Sequence, residues 1–325
     1  MPLEFDLAPA SKTTMPPTST RTESKIGIAS TFALVLSLFP MIGCDQPVAR
    51  GTVANADRAR ELRAELAKTE SGDSAAKSGS GQKATGWATL RGTIKVDGEP
   101  PARTPLAIGR DANVCAPGGA PVLGEEVLVD PSTEGLANVA IYALKLDGDN
   151  VHPDAAAGKQ DEVLFDQKAC LFLTHVAVMQ STQKLKIVNS DPVAHNTDIK
   201  VKRSATKNVN LVPGDSFLFT PGREENEPAS VSCAIHPWMR SYLLPRDNSY
   251  VAVTAADGRF EIPNLPAGID LTIQAWHEKT GKKFVATIEG DAKWSKGRIE
   301  LKGENQLVDG QTREITLVVP ADELK

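Results

Sequence analysis

From Trp87 onward this chain is cut into short alternating segments fenced by turn residues, and that spacing limits it to stacked β-sheets. Residues 89–96 (TLRGTIKV) alternate like a strand with one buried face, and Asp97-Gly98 closes the segment with a turn signal. Residues 139–144, 175–179, 184–188, 216–219 and 229–233 read the same way, as do 271–276, 284–288 and 314–319. The 22 prolines and 25 glycines supply the turns, and no sustained helical stripe separates the strands. With 325 residues the chain has room for two domains plus tails. Its net charge of -5 argues against a general nucleic-acid binder, which needs a basic face for phosphates.

The first 86 residues belong to a different regime. After Arg21 and Lys25, residues 26–43 (IGIASTFALVLSLFPMIG) are uncharged and apolar and end at Cys44. The stretch resembles a bacterial lipoprotein signal peptide, and Met41-Ile42-Gly43-Cys44 resembles its lipobox, with Met41 where Leu is usual. That implies cleavage before Cys44, lipidation of Cys44, and a mature chain on the periplasmic or cell-surface side of a bacterial membrane. A retained N-terminal anchor is the other reading, and it places the chain on the same side. Residues 44–86 are rich in Ala, Ser, Gly, Lys and Glu and too poor in large apolar side chains to offset their ordering entropy, so they read as a tether. Within it, residues 57–69 (DRARELRAELAKT) have helix propensity and 71–83 form a Gly/Ser-rich linker.

The chemistry concentrates in Cys233-Ala234-Ile235-His236-Pro237-Trp238-Met239, where a thiol, an imidazole and a thioether share one loop. Two imidazoles, a thiolate and a weak axial Met form the donor set of mononuclear type 1 copper sites. His195, in Asp191-Pro192-Val193-Ala194-His195-Asn196, supplies the second imidazole. Of the four cysteines, Cys44 and Cys233 then have roles, and Cys115 and Cys170 remain as an even pair in an oxidising compartment. A Cys115–Cys170 disulfide is expected; two buried free thiols are the alternative. His152 reads as a polar-loop residue and His175 as a strand-end side chain. His277 reads first as a structural side chain, with an approach to the copper module or a bond to Glu278 as the alternatives.

The stretch 183–239 resembles the cupredoxins, or blue copper proteins. Lys184 to Asn196 resembles the strand and loop carrying their first His, Leu211-Val212-Pro213-Gly214-Asp215 their Pro-Gly turn, and the short Cys-His-Met loop that of amicyanin. The departures are Pro228-Ala229-Ser230-Val231-Ser232, without aromatics before Cys233, and a region 98–160 longer than a minimal cupredoxin needs. The resemblance implies one copper ion held by His195, Cys233, His236 and Met239. Asn196 would brace the His195 loop against the Cys233 loop with Ser232 as partner, and Pro237 would stiffen the ligand loop. His236 would be the surface electron exit, with Pro237 and Trp238 in the docking patch for dehydrogenase or respiratory redox partners. Tyr250 to Gly268, with an Asp257-Gly258 turn, Phe260-Glu261-Ile262 and Leu265-Pro266-Ala267-Gly268, resembles carboxypeptidase-regulatory-like, prealbumin-type domains.

The expectation is therefore an all-β chain: a signal peptide at 1–43, a lipid-anchored tether at 44–86, a cupredoxin-like Greek-key sandwich at 87–248 and a smaller sandwich at 249–325. Because 92–101 and 136–144 also look like opening strands of the prealbumin type, a copper module inserted into a split sandwich is the alternative architecture. Hydrolase, phosphate-loop and His-Glu-x-x-His zinc motifs are missing from the sequence, so outer-sphere electron transfer is expected rather than enzymatic turnover. Cu(I) storage or delivery, and a non-redox envelope-binding role, are the competing functions.

Overall fold

The computed structural model describes residues 81–290 and 292–325. The expected signal peptide, the lipidation site Cys44 and the helix at 57–69 lie outside them. Strands β1 (Gly86–Asp97) and β2 (Ala140–Ala143) come first, with a four-residue helix α1 (Ala112–Cys115) between them. Next come β3 (Glu162–Lys168), β4 (Leu171–Phe172), β5 (Val176–Gln180), β6 (Lys184–Asn189), β7 (His195–Ile199), β8 (Lys207–Leu211), β9 (Ser216–Phe219), β10 (Ala229–Ser232) and β11 (Arg240–Arg246). The chain finishes with β12 (Val251–Val253), β13 (Arg259–Ala267), β14 (Leu271–Trp276), β15 (Thr287–Glu289), β16 (Lys293–Ser295), β17 (Arg298–Leu301) and β18 (Thr312–Pro320). Among the described residues, no helix is long and apolar enough to cross a membrane.

These strands build two sandwiches, each from one four-stranded and one five-stranded sheet. One stacks the sheet ordered β13-β1-β18-β15 on that ordered β12-β2-β14-β17-β16, and the other stacks β4-β3-β6-β9 on β5-β11-β10-β7-β8. The expected division at residue 249 does not follow the sheets. β1 pairs with β13 and β18, and β2 pairs with β12 and β14, so the N-terminal strands close the C-terminal sandwich. The strands β3 to β11 are inserted between β2 and β12, and neither sandwich is the smaller by strand number. The physical reason is burial: Leu90, Ile94 and Ile141 lose all exposure against Ile262, Ile273, Leu301 and Leu317. Each such side chain contributes roughly 1.5–3 kcal/mol when fully buried.

The Asp257-Gly258 turn shows how tightly the split halves mesh. Gly258 has φ +78°, and a Cβ there would stand 2.3 Å from the Ile94 carbonyl oxygen, so only glycine fits. That carbonyl instead accepts the Leu136 amide, while Ile94 donates to the Gly258 carbonyl. The tether's last residues are pinned to the same sandwich: Asn150 bonds both Ala84 and Gln82, and Thr85 donates to Ala267.

The inserted sandwich buries Phe165, Leu185, Ile187, Ile199, Val231 and Leu243 together with Cys233 and Met239. It docks through β5 and β11 on the β2 and β14 face, where Tyr142, Val176, Leu244 and Trp276 pack in a separate seam. Arg246 is buried there, donating to the carbonyl oxygens of Glu225 (2.7 Å) and Ala143 (2.9 Å) across the two sandwiches. The Tyr142 hydroxyl crosses the same seam to the Asn226 carbonyl, and burial raises its pKa well above the ordinary phenol value.

Candidate metal centre

Strand pairing gathers the site at one end of the inserted sandwich. β7 opens on His195 and pairs antiparallel with β10, which ends one residue before Cys233. The chain then turns tightly: Met239 donates to the His236 carbonyl at 2.9 Å and Cys233 to the Met239 carbonyl at 3.3 Å, and β11 begins at the next residue. Ligand atoms of His195, Cys233 and His236 lie within 4.8 Å of one another, all on buried side chains. Met239 is fully buried at the end of the same turn, in the apolar cluster that holds Cys233.

Each imidazole turns Nδ1 inward and Nε2 toward a carboxylate. His195 Nε2 lies 2.7 Å from Asp191 Oδ2 and His236 Nε2 lies 2.9 Å from Asp111 Oδ2, while the two Nδ1 atoms are 2.9 Å apart. With both Nε2 atoms protonated to serve these carboxylates, two lone pairs face each other and require a proton or a cation between them. Burial pushes the His195 pKa below its usual value against the pull of Asp191, which keeps the ring neutral and able to ligate. Cys233 Sγ accepts the amides of Asn196 (3.2 Å) and His236 (3.4 Å), which fix the sulfur facing the two rings. The buried Asp191 and the partly exposed Asp111 stand behind the two rings, so a cation between the inward nitrogens and the Cys233 sulfur would be favoured electrostatically. The donor set therefore fits copper.

The carboxylates are the residues that motif reading missed. Asp191 is buried, four residues before His195, and also accepts the Ala169 amide at 2.7 Å and the Cys170 amide at 2.8 Å. Asp111 adopts a left-handed φ of 51° at the start of α1, four residues before Cys115. Cys115 is disulfide-bonded to Cys170, and the sulfur atoms of that bridge lie within 4.8 Å of a His236 ring nitrogen. The long 98–160 region thus reaches over the end that holds His195, Cys233 and His236 and sets Asp111 on His236. A signal was available: the Cys115–Cys170 pair draws residue 111 toward the β3–β4 turn that carries Cys170.

Two expectations change. His236 is not a surface exit, because the Asp111 turn covers it and leaves it fully buried. Asn196 does span the two loops, but its Oδ1 accepts from Ala234 N at 3.2 Å rather than bonding Ser232, whose backbone belongs to the β10 ladder. Its side-chain amide is fixed in turn by Asn208 and Asn210. Pro237 is exposed, and Trp238 is half-buried with its ring centroid 5.1 Å from that of His236 and its indole N–H donating to the Cys170 carbonyl at 3.1 Å.

The remaining histidines stand apart from this cluster. His152 Nδ1 accepts from the Asp154 amide, and its ring meets Trp87 edge-on. His175, rather than His277, pairs with Glu278. His277 is buried, and desolvation, reinforced by the nearby His175 and Lys279, pushes its pKa down to about 3.

No family model matches this chain, and no curated protein matches it. Among solved structures it is similar to amicyanin from Paracoccus versutus, at 16% identity over 33% of this chain and 97% of that one, with a TM-score of 0.23. A purple cupredoxin from Nitrosopumilus maritimus is 17% identical over 26% of this chain and 99% of its own, with a TM-score of 0.22. A Cu-containing nitrite reductase from Thermus scotoductus SA-01 is 17% identical over 26% of this chain but only 22% of its own length, with a TM-score of 0.24. Likeness of this degree carries no argument about function. What the site can hold is decided by its own side chains.

Proposed function

We propose that this chain holds one copper ion at His195, Cys233, His236 and Met239 and works as a type 1 electron carrier. The observation that carries the reading is the convergence of two inward Nδ1 atoms on a doubly amide-bonded Cys233 sulfur. Copper there would supply a one-electron couple. The protein's part is to fix both rings by carboxylates, exclude water, and stiffen the ligand turn with Pro237, so that little reorganises when charge changes. Four protein donors leave no open position for a coordinated substrate, which favours electron transfer over catalysis at the metal. Burial of both imidazoles also disfavours rapid metal hand-over, the Cu(I) delivery reading, and two buried ring nitrogens facing each other at 2.9 Å disfavour a purely structural loop, the envelope-binding reading.

The setting we infer is the outer side of a bacterial membrane, with Cys44 lipidated and the tether giving reach to dehydrogenase or respiratory partners. The Cys115–Cys170 disulfide suits an oxidising compartment. The test is a Cu(II) titration of the Cys44→Ser chain, beside the same chain with Cys233→Ser. An intense blue thiolate-to-copper band, lost in the second protein, is expected. Folded protein that binds no copper would overturn the reading, and tight Cu(I) binding without a blue band would turn it to copper handling.

A further inference from the structure

With His236 closed off by Asp111, the half-buried ring in contact with it is Trp238, and Trp238 opens on a cleft of about 610 Å³. That volume lies in the range of small-molecule sites. The 101–107 and 123–127 segments form part of its lining, together with Phe172 and Pro237, so much of the wall is apolar or aromatic. Its ionic groups are largely occupied with one another or with the backbone. Arg103 donates to the Leu123 and Gly124 carbonyls, and Lys279 lies 3.9 Å from Glu126. Such a wall, Arg240 apart, suits a neutral, flat ligand.

One polar group in this cleft has capacity left. His175 and Glu278 are each more than nine-tenths buried at the side chain and pair tightly through His175 Nε2. Tyr242 supports the pair from behind, its hydroxyl donating to Glu278 Oε2 at 3.2 Å. On the other side, His175 Nδ1 stands 3.7 Å from Glu125 Oε2, beyond hydrogen-bond length, so a ligand hydroxyl can reach both. The cleft thus sets a proton acceptor in the same wall system as an aromatic ring that touches a metal-binding imidazole.

The geometry points to a binding site for a neutral hydroquinone-type phenol, its ring against Trp238 and its hydroxyl on His175, serving as the electron donor to the metal. This rests on the copper reading above. With copper held by His195, Cys233, His236 and Met239, the metal would supply the one-electron acceptor; Trp238 would carry the electron toward it and His175 would take the hydroxyl proton, so that the phenol would leave as its neutral one-electron-oxidised radical. Electron entry is then through a small molecule held in a cleft, not through a flat protein patch over His236.

The test uses the full chain carrying 5-fluorotryptophan, whose four tryptophans give four fluorine signals, with Trp238 assigned by Trp238→Phe. Hydroquinone added to the metal-free protein is expected to shift the Trp238 signal saturably. 1,4-Dimethoxybenzene, which lacks the hydroxyl proton, should bind at least about tenfold more weakly, as should hydroquinone to His175→Gln. Equal binding of the two ligands would overturn the hydroxyl seat even if the variant misfolds. No shift up to hydroquinone's solubility limit, in a chain that still turns blue with Cu(II), would overturn the cleft and leave the copper reading intact. A saturable shift in a chain that never turns blue would keep the phenol site and overturn its role as donor to copper.

Discussion

The two imidazoles of the candidate metal centre are oriented by the same chemistry but built from different depths of the chain. His195 takes its carboxylate from Asp191, four residues away, almost fully buried and loaded with two further backbone amides. His236 takes its carboxylate from Asp111, 125 residues away, whose side chain keeps 35% exposure and sits on a left-handed turn. The His195 arm is part of the sandwich that forms it. The His236 arm is assembled by a covering segment, and what fastens that segment beside the site is the Cys115–Cys170 bridge. One arm is therefore expected to be set by the inserted sandwich itself, and the other by the oxidation state of two cysteines.

Removing the donor that both arms share has the largest effect: Cys233→Ser should abolish the blue band and lower copper affinity by orders of magnitude, checked by visible spectroscopy and competition with a chelator. Breaking only the remote arm comes next. Cys115→Ala with Cys170→Ala opens a loop of 55 residues, a loss of about 4 kcal/mol in the chain-entropy model, read by denaturant unfolding. The comparison predicts that copper, if still bound, then shows a changed band from a freed His236. An unchanged band would mean that Asp111 holds its place without the bridge.

Breaking the local arm is expected to cost somewhat less stability. Asp191→Ala leaves the Ala169 and Cys170 amides and His195 Nε2 without their acceptor, about 3 kcal/mol, or a midpoint lower by roughly 6–12 °C on calorimetry. Asp111→Ala should barely move the midpoint, since the side chain is partly solvated, yet weaken copper by about tenfold to a hundredfold. If Asp111→Ala destabilised the fold as much as Asp191→Ala, the distinction between a structural and a covering carboxylate would fall.

How far the sequence disclosed this arrangement follows the same division. His195, Cys233, His236 and the disulfide were legible because soft and imidazole donors at short spacing, and an even cysteine pair, carry strong chemical meaning alone. β1, β14 and β18 were legible from alternation, and β13 from the resemblance of residues 250–268 to prealbumin-type domains. The partners of β1 were not, because alternation tells which face is buried and never which strand lies alongside; only the turn-bearing Asp257-Gly258 segment and its look-alike near the N-terminus hinted at a split sandwich. β7 escaped notice because His195-Asn196-Thr197-Asp198-Ile199 is mostly polar, and its burial is offset by hydrogen bonds rather than by apolar side chains. Asp111 and Asp191 escaped because a carboxylate is common everywhere, and its meaning here depends on which nitrogen the fold sets beside it.

His277 offers the smallest and most selective test of what those carboxylates contribute. It is an imidazole buried at 1% exposure with no carboxylate among the causes of its shift, and desolvation above all, with Lys279 nearby, takes its pKa down to about 3. His195, equally buried, is held up by Asp191. A histidine with a depressed folded pKa stays neutral in the fold but takes a proton in the unfolded chain below its model value of 6.5. Stability then falls as pH drops through 6.5 and continues to fall toward 3. Between pH 7.5 and 5.5 the His277 contribution is about 1.4 kcal/mol, since only the unfolded state titrates in that window. In metal-free protein His277→Phe should flatten the denaturant stability profile by that amount while leaving the slope due to His195 in place. If the slope were unchanged, His277 would be protonated in the folded chain, and the carboxylates of the metal centre would lose their status as what separates a ligating imidazole from a merely dry one.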